Sequence, residues 1–285
     1  MIPFNKPYMV GKELYYIAQS VLNGHISGNG QFTKKCQCFF EEKYKFNKCL
    51  LTTSCTDALE MCALLLDIKP GDEVIIPSYT FVSTALAFVR QGATVVFADS
   101  RSDHPGIDED RIEELITSKT KAIVVVHYAG VACDMDKITA LAQKHDLYVI
   151  EDAAQAIDSF YKEKPLGGIG HLGTFSFHET KNIQSGEGGL ISINDQAFIK
   201  RSEIIWEKGT NRAEFFRGEI NKYGWVDTGS SFLTSDIIAA FLYAQIEELH
   251  TIQERRLSIW QKYYQELLPF SKKGVKLPYI PPYAT

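Results

Sequence analysis

The sequence predicts an α/β fold built on a largely parallel sheet. Short β-branched runs alternate with helical patterns along residues 49–208, and this alternation is typical of a parallel sheet with helices on its faces. Several runs are apolar throughout, such as Ala122-Ile123-Val124-Val125-Val126. A run of this kind indicates a strand that is covered on both faces.

Seven strands and five helices follow from these patterns. The predicted strands are Cys49–Thr52, Glu73–Ile76, Thr94–Phe97, Ala122–His127, Tyr148–Glu151, Gly173–Phe177 and Gly189–Ile193. The predicted helices are Asp57–Leu66, Ser83–Gln91, Asp108–Thr117, Met135–His145 and Asp195–Lys208. Turn signals such as Pro-Gly-Asp separate several of them.

The pattern changes at Ser235. From there to about Glu266 the apolar positions predict one long amphipathic helix. The last stretch, Leu277–Tyr283, is rich in proline and predicts extended chain that resembles a linker. We therefore expect a large domain over residues 1–234 and a second region over residues 235–285.

Composition excludes several classes of protein. The chain has 285 residues, a net charge of −5 and no block of Lys and Arg, which argues against binding of nucleic acid. Its six cysteines include no C-x-x-C pair, so we expect reduced thiols and no metal site. The N-terminus lacks the features of a signal peptide, and no apolar run is long enough for a membrane. These features predict a cytoplasmic protein with no membrane partner.

Small and polar residues follow the predicted strands, where ligands bind in an α/β sheet. Thr53–Asp57 opens a helix with hydroxyl groups and free N–H groups, which suit a phosphate, although an ordinary N-cap is the commoner role. Phe81 could lie flat on a planar ring or pack in the core. His127 and Tyr128 could form a pocket wall, or His127 could be a satisfied histidine at a strand end.

A carboxylate pair and a lysine complete the set. Glu151 and Asp152 follow a strand of Tyr, Val and Ile, where a carboxylate is unfavourable unless it is paired. A pyridinium nitrogen would be a suitable partner for Asp152, and the small residues after it leave room for a flat ring. Lys181 lies between another strand and the glycine-rich run Gly186–Gly189. Together these features predict a site for pyridoxal 5′-phosphate (PLP), which needs a phosphate cup, a ring stacker, an acid and a lysine.

Four runs in the same order resemble a known family: Pro77–Phe81, His127–Gly130, Glu151–Gln155 and Ser176–Asn182. They are similar to the DegT/DnrJ/StrS-type nucleotide-sugar aminotransferases. The resemblance implies a fold-type-I PLP-dependent transferase with a mostly parallel sheet in a three-layer α/β/α sandwich. It also implies a smaller C-terminal domain, of which residues 235–285 would be the start.

The resemblance assigns roles to individual residues. Lys181 would bind the cofactor covalently, and Asp152 would pair with the pyridine nitrogen. The other cofactor contacts would come from Thr56, the backbone of Asp57, Phe81, Gln155, Ser176 and Ser230. Substrate contacts are expected from His127, Tyr128, His178 and Arg212. Related sugar dehydratases have histidine at the position of Lys181, so lysine favours transamination.

One local variant points to a branch of the family. Ser230 stands where many members have the Asn of an Asn-Tyr-Arg run that reaches the partner subunit's active site. Together with Lys208–Arg212, it resembles the branch that makes dTDP-4-amino-4,6-dideoxygalactose for enterobacterial common antigen and lipopolysaccharide. The resemblance implies a homodimer with shared active sites, glutamate as amino donor and dTDP-4-keto-6-deoxyglucose as acceptor.

Other functions stay open at this point. The motifs do not fix the aminated carbon, so amination at C3 or of a UDP sugar is an alternative. A PLP-binding protein without catalysis is a second alternative. A Rossmann nucleotide-binding module fits the strand and helix alternation, but the sequence lacks a G-x-G-x-x-G loop after its first strand.

Overall fold

A seven-stranded sheet lies at the centre of the protein. The computed structural model describes residues 1–285. The strands are β1 (Lys48–Thr52), β2 (Glu73–Pro77), β3 (Thr94–Ala98), β4 (Thr120–Val126), β5 (Tyr148–Asp152), β6 (Phe160–Tyr161), β7 (Lys164–Pro165), β8 (Leu172–Ser176) and β9 (Gly189–Ile193). Strands β6 and β7 form a separate hairpin, and the other seven make the sheet. All seven predicted strands are therefore confirmed.

The sheet is mostly parallel, as predicted. Its order is β1-β9-β8-β5-β4-β2-β3, and only β9 runs against its neighbours, β1 and β8. The pairs β2–β3, β2–β4, β4–β5 and β5–β8 are parallel. Because parallel strands end at the same edge, the residues that follow β1, β2, β4, β5 and β8 meet there.

Helices cover both faces of the sheet in three layers. They are α1 (Glu13–Leu22), α2 (Gln31–Tyr44), α3 (Cys55–Leu65), α4 (Val82–Val89), α5 (Met135–Lys144), α6 (Ile199–Trp206), α7 (Arg212–Phe216), α8 (Asp236–Glu247) and α9 (Leu249–Leu267). Strand β4 shows the layering directly, because Ile123 and Val125 enter one core while Ala122 and Val124 enter the other. None of the helices is long and apolar enough to span a membrane.

Residues 108–117 are not the predicted helix. The segment forms two short 3₁₀ turns, Glu109–Arg111 and Glu113–Leu115. Asp108 accepts a hydrogen bond from the amide of Asp110, and the nearly buried Glu109 turns inward to bind Arg101 at 2.7 Å. These contacts hold a tight turn that a regular α-helix would disrupt, and a helix this short has little intrinsic stability.

The predicted long helix after Ser235 is two helices. The chain breaks at Glu248, whose φ and ψ are −103° and 11°, so α8 and α9 are separate. Helix α8 packs into the same core as α2, since Ala239, Ala240 and Leu242 join Phe32 there. The division of the chain at residue 234 stays a prediction.

The proline-rich end is extended, and it is also paired. Thr285 exchanges two backbone hydrogen bonds with Phe160 of β6, at 2.7 and 3.0 Å, and the amide of Lys162 donates to the carbonyl of Tyr283. Tyr283 packs on Tyr161 with ring centroids 5.1 Å apart. The last residues therefore lie against the β6–β7 hairpin.

Candidate cofactor and active site

Lys181 lies in the loop that follows β8 and lines a cleft of about 1150 Å³. Gln155 and Ala129 line the same cleft. The residue after the lysine, Asn182, donates to Oε1 of Gln253 on α9, and Gln253 donates in turn to the carbonyl of Ile157. Gln253 of α9 thus connects the lysine loop with the segment that follows β5.

Asp152 is the buried acid predicted at the end of β5. It is 5% exposed, its Oδ2 accepts from the hydroxyl of Thr84 at 2.7 Å, and its Oδ1 accepts from the amide of Ala154 at 3.1 Å. Burial raises the pKa of Asp152 above the usual aspartate value, while these two donors and the charge of Lys181 act in the opposite direction. The structure therefore brings the predicted lysine and acid together.

The N-terminus of α3 lies beside them. Ser54 caps the helix by accepting from the amide of Asp57 at 3.0 Å, so the backbone of Asp57 makes the ordinary N-cap contact in this structure. The first amides of a helix, here Cys55 and Thr56, have no partner within it. The Thr56 hydroxyl bonds Ser83 of α4 at 2.8 Å. This end of α3 keeps donors that suit a phosphate.

Two other predicted cofactor contacts lie close to these elements. Phe81 precedes α4 and is 72% exposed, so its ring is not part of the core, and the alternative of core packing is wrong. Ser176 ends β8, and its hydroxyl accepts from the amide of His178 at 3.3 Å.

His127 does not line the cleft, and the predicted substrate contact is wrong. The side chain has no exposed surface. Its Nε2 donates to Glu151 at 2.9 Å and its Nδ1 accepts from the amide of Cys133 at 3.3 Å. The alternative, a satisfied histidine at a strand end, is the one observed.

Glu151 is the second carboxylate at the end of β5, and it has a structural set of partners. It is fully buried and accepts from the amides of Gly167, Ile169 and Gly170 at 2.6–2.7 Å, in addition to His127. Successive residues of a strand point to opposite faces. Glu151 therefore secures the loop before β8 from the face opposite Asp152.

The other predicted substrate residues lie at the surface. Tyr128 approaches Tyr79, with the two hydroxyl groups 3.4 Å apart. His178 binds the Thr180 hydroxyl at 2.9 Å through Nδ1. Both are at the edge of the sheet where the cofactor residues lie.

Arg212 and Ser230 lie away from Lys181 within this chain. Arg212 lines a second cavity of about 590 Å³, binds Glu207 at 2.7 Å and lies over the ring of Phe216. Ser230 is exposed, and its carbonyl accepts from the amide of Lys208. Their predicted contributions to a partner subunit's site stay predictions.

The residues fit PLP. Asp152 can hold a protonated ring nitrogen, Lys181 offers an amine to the aldehyde carbon, and the start of α3 offers donors to the phosphate. The structure adds Thr84, which the sequence alone did not single out and which orients the acid. A lysine, a buried aspartate and a helix N-terminus at one edge of the sheet define a PLP-dependent transferase site.

Comparison with known proteins gives the family. Residues 8–277 match the DegT/DnrJ/EryC1/StrS aminotransferase family, and the chain belongs to that family of PLP-dependent sugar aminotransferases. It is 34% identical to the spore coat polysaccharide biosynthesis protein SpsC of Bacillus subtilis, covering 92% of this chain and 68% of that protein. It is also 34% identical to the GDP-perosamine synthase of Escherichia coli O157:H7, covering 93% and 71%.

A solved structure agrees with this assignment. The protein Spr1654 of Streptococcus pneumoniae, solved in a PLP form, superposes with a TM-score of 0.86 at 28% identity. The match covers 94% of this chain and 71% of that one. The predicted fold class and cofactor are both confirmed.

Proposed function

We propose that this protein transfers the amino group of glutamate to the keto carbon of a nucleotide-linked 4-keto-6-deoxyhexose. Glutamate becomes 2-oxoglutarate and the sugar gains an amino group, so the exchange needs no external oxidant or reductant. The observation that carries the proposal is the position of Lys181, which lines a cleft with Gln155 and whose charge acts on the buried Asp152. PLP supplies the electron sink for this chemistry when bound.

Each residue has a distinct part in this proposal. Asp152, as a carboxylate, favours a protonated ring nitrogen by charge attraction. Lys181 first binds the cofactor and then, once free, moves a proton as general base and acid. Thr56, Ser176 and the first amides of α3 hold the phosphate, and Phe81 stacks on the ring.

Two nucleotides are candidates for the carrier of the sugar substrate. The Ser230 variant and the Lys208–Arg212 run support dTDP-4-keto-6-deoxyglucose, with 4-amination to dTDP-4-amino-4,6-dideoxygalactose. The named activity of the GDP-perosamine synthase relative supports a GDP-linked 4-keto sugar instead. Incubation with each keto sugar, followed by NMR of the product, separates the two and also identifies amination at C3. The relative named for spore coat polysaccharide supports a role in cell-surface glycan synthesis.

We also propose a cytoplasmic homodimer in which each active site uses both chains, with Ser230 and Arg212 reaching the partner. The test mixes Lys181→Ala with Arg212→Ala under conditions that exchange subunits. Shared sites predict that two inactive variants regain partial activity, because a mixed dimer contains one intact site. If the mixture stays inactive while each variant is a dimer by light scattering, the shared site is wrong.

The first experiment tests the cofactor and the donor half-reaction. PLP is added to the purified protein, and the visible spectrum is recorded before and after glutamate. We expect a band of bound cofactor that bleaches with glutamate and is absent from Lys181→Ala. A Lys181→Ala variant with wild-type turnover would contradict the proposal.

A further inference from the structure

Gln155 has a fixed amide orientation in the cleft. Its Oε1 accepts a hydrogen bond from the backbone amide of Ala129 at 2.8 Å. A backbone N–H can only donate, so the carbonyl end of the side chain must face it. The NH₂ end, which can only donate, is therefore the end left for a ligand in the cleft that Gln155 shares with Lys181.

The donor that fixes this orientation comes from a strained residue. Ala129 has φ of 54° and ψ of 22°, in the left-handed region that costs a residue with a Cβ about 1 kcal/mol or more. The next residue, Gly130, also has a positive φ of 79°. A Cβ there would lie 2.8 Å from Oγ of Ser159 and 3.3 Å from the carbonyl of Gln155. The loop thus presses closely on the segment that carries Gln155.

Buried contacts hold this loop in place at both ends. His127 begins it and is fixed by Glu151 through Nε2 and by the Cys133 amide through Nδ1. The backbone adds a bond from the His127 amide to the carbonyl of Asp152, at 3.1 Å. The surrounding contacts therefore hold Ala129 in its left-handed conformation. Backbone strain of this kind persists only where the surrounding structure enforces it.

We propose that Ala129 is a positioning residue, whose left-handed backbone amide aims the NH₂ group of Gln155 at an acceptor oxygen on the ring of the bound cofactor. The inference rests on the proposed function, since it takes the cleft as the PLP site. The loop after β4, which the buried His127 holds in place, would thus determine which end of the Gln155 side chain meets the ligand. The contact of Gln155 with the cofactor is itself the family expectation, and the new element is that Ala129 fixes the orientation of its amide.

The first test replaces the donor end alone. In Gln155→Glu, one oxygen still accepts from Ala129 and the other puts negative charge where the NH₂ group was. Gln155→Ala removes one hydrogen bond and should lower PLP affinity roughly tenfold. We expect a larger loss in Gln155→Glu. Affinity is measured from the visible band of bound cofactor. Wild-type affinity in Gln155→Glu would overturn the assigned orientation.

The second test is a double-mutant cycle. Ala129→Val introduces a β-branched residue that disfavours the left-handed region, and we expect weaker PLP binding. In the Gln155→Ala background, the same substitution should cause no further loss, because its effect passes through Gln155. Equal losses in both backgrounds, or no loss in either, would overturn the positioning role.

A matched control tests whether valine at a left-handed position outside the cleft also weakens PLP binding. Asp146 has nearly the same φ, 55°, is exposed and lies outside the cleft. Asp146→Val should lower the thermal stability as Ala129→Val does, without weakening PLP binding. The wild-type spectrum distinguishes the two possible failures. If the wild-type protein shows no band that bleaches with glutamate, the proposed function is wrong. If the wild-type band bleaches and Ala129→Val binds PLP as tightly as wild type, only the role of Ala129 is wrong.

Discussion

The hydroxyl of Thr84 donates to Oδ2 of Asp152 at 2.7 Å. Thr84 has no exposed surface and lies in the first turn of α4. The bond therefore connects the start of α4 with the end of β5. It stabilises the charged form of an acid whose burial favours the neutral form.

Replacing Thr84 with Val should weaken cofactor binding. Valine keeps the shape of the side chain but lacks the hydroxyl donor, so the carboxyl group of Asp152 becomes harder to ionise. We expect a loss of roughly tenfold or more in PLP affinity, as is usual for a bond to a charged group. Titration of the visible band measures it. Thr84→Ser should recover most of the affinity, and failure of Ser to do so would show that the methyl group matters instead.

The stability of the cofactor-free protein should depend on pH through Asp152. Its pKa is raised in the folded state, so the folded protein binds this proton more tightly than the unfolded chain does. The resulting stability is fully present below the unfolded pKa, near 3.9. It is lost as the pH rises through the raised folded value.

Asp152→Asn lacks this titration and provides the comparison. The free energy of unfolding of wild type, measured in urea relative to the variant, should fall as the pH rises from about 3.5 towards neutrality. The other titrating groups are the same in both proteins and largely cancel. A difference that stays constant or increases with pH would contradict the raised pKa.

The sheet and the grouping of the site residues could be predicted from the sequence. Runs such as residues 122–126 have few alternatives to a strand buried on both faces. Once the strands are parallel, the residues after β1, β2, β5 and β8 share an edge. The positions of Thr56, Phe81, Asp152 and Lys181 at that edge then follow from topology.

Contacts between distant segments could not be predicted. Helix α2 begins at Gln31 without a capping side chain of its own, and the acceptor for the amides of Phe32 and Thr33 is the buried Asp236. A cap supplied by a residue more than 200 positions away in the sequence leaves no local signal. The sequence patterns therefore do not predict the N-terminal helices α1 and α2.

The same limit applies within the site. The local sequence is compatible with two roles for His127, and its contacts with Cys133 and Glu151 decide between them. The bond from Ala129 to Gln155 depends on the left-handed backbone of Ala129, and an alanine gives no sequence signal for that conformation. These details depend on how loops pack together, which neither periodicity nor propensity describes.

Glu151→Gln should destabilise the fold more than it affects the chemistry directly. Four donors face the buried carboxylate, and an amide would turn its own NH₂ group towards some of them. We expect a loss of roughly 3 kcal/mol in the free energy of unfolding, as when one partner of a buried charged pair is removed. Urea denaturation measures it.

The control for this substitution is Glu179→Gln. Glu179 is exposed, and exposed carboxylates contribute little to stability, so its change should lie near zero. Equal effects at positions 151 and 179 would show that the network around Glu151 does not hold the loop before β8.

Gly189→Ala tests the close contact between β9 and the start of α3. A Cβ at Gly189 would overlap the backbone of Ser54 and Cys55, and backbone cannot move aside as a flexible side chain can. The helix start would have to shift away from the sheet, carrying the first amides and Thr56 with it. We expect a loss of roughly 1–3 kcal/mol in stability, as for other overpacked sites, together with weaker PLP binding.

Gly224→Ala is the matched control, because a Cβ there meets nothing within 4 Å and the φ of Gly224 is not positive. Its stability and PLP affinity should stay close to wild type. Denaturation and titration of the visible band are measured on both variants. If Gly189→Ala loses stability but binds PLP normally, the position of the α3 N-terminus does not govern phosphate binding. The cup would then depend on the hydroxyl groups of Thr56 and Ser176 rather than on the helix amides.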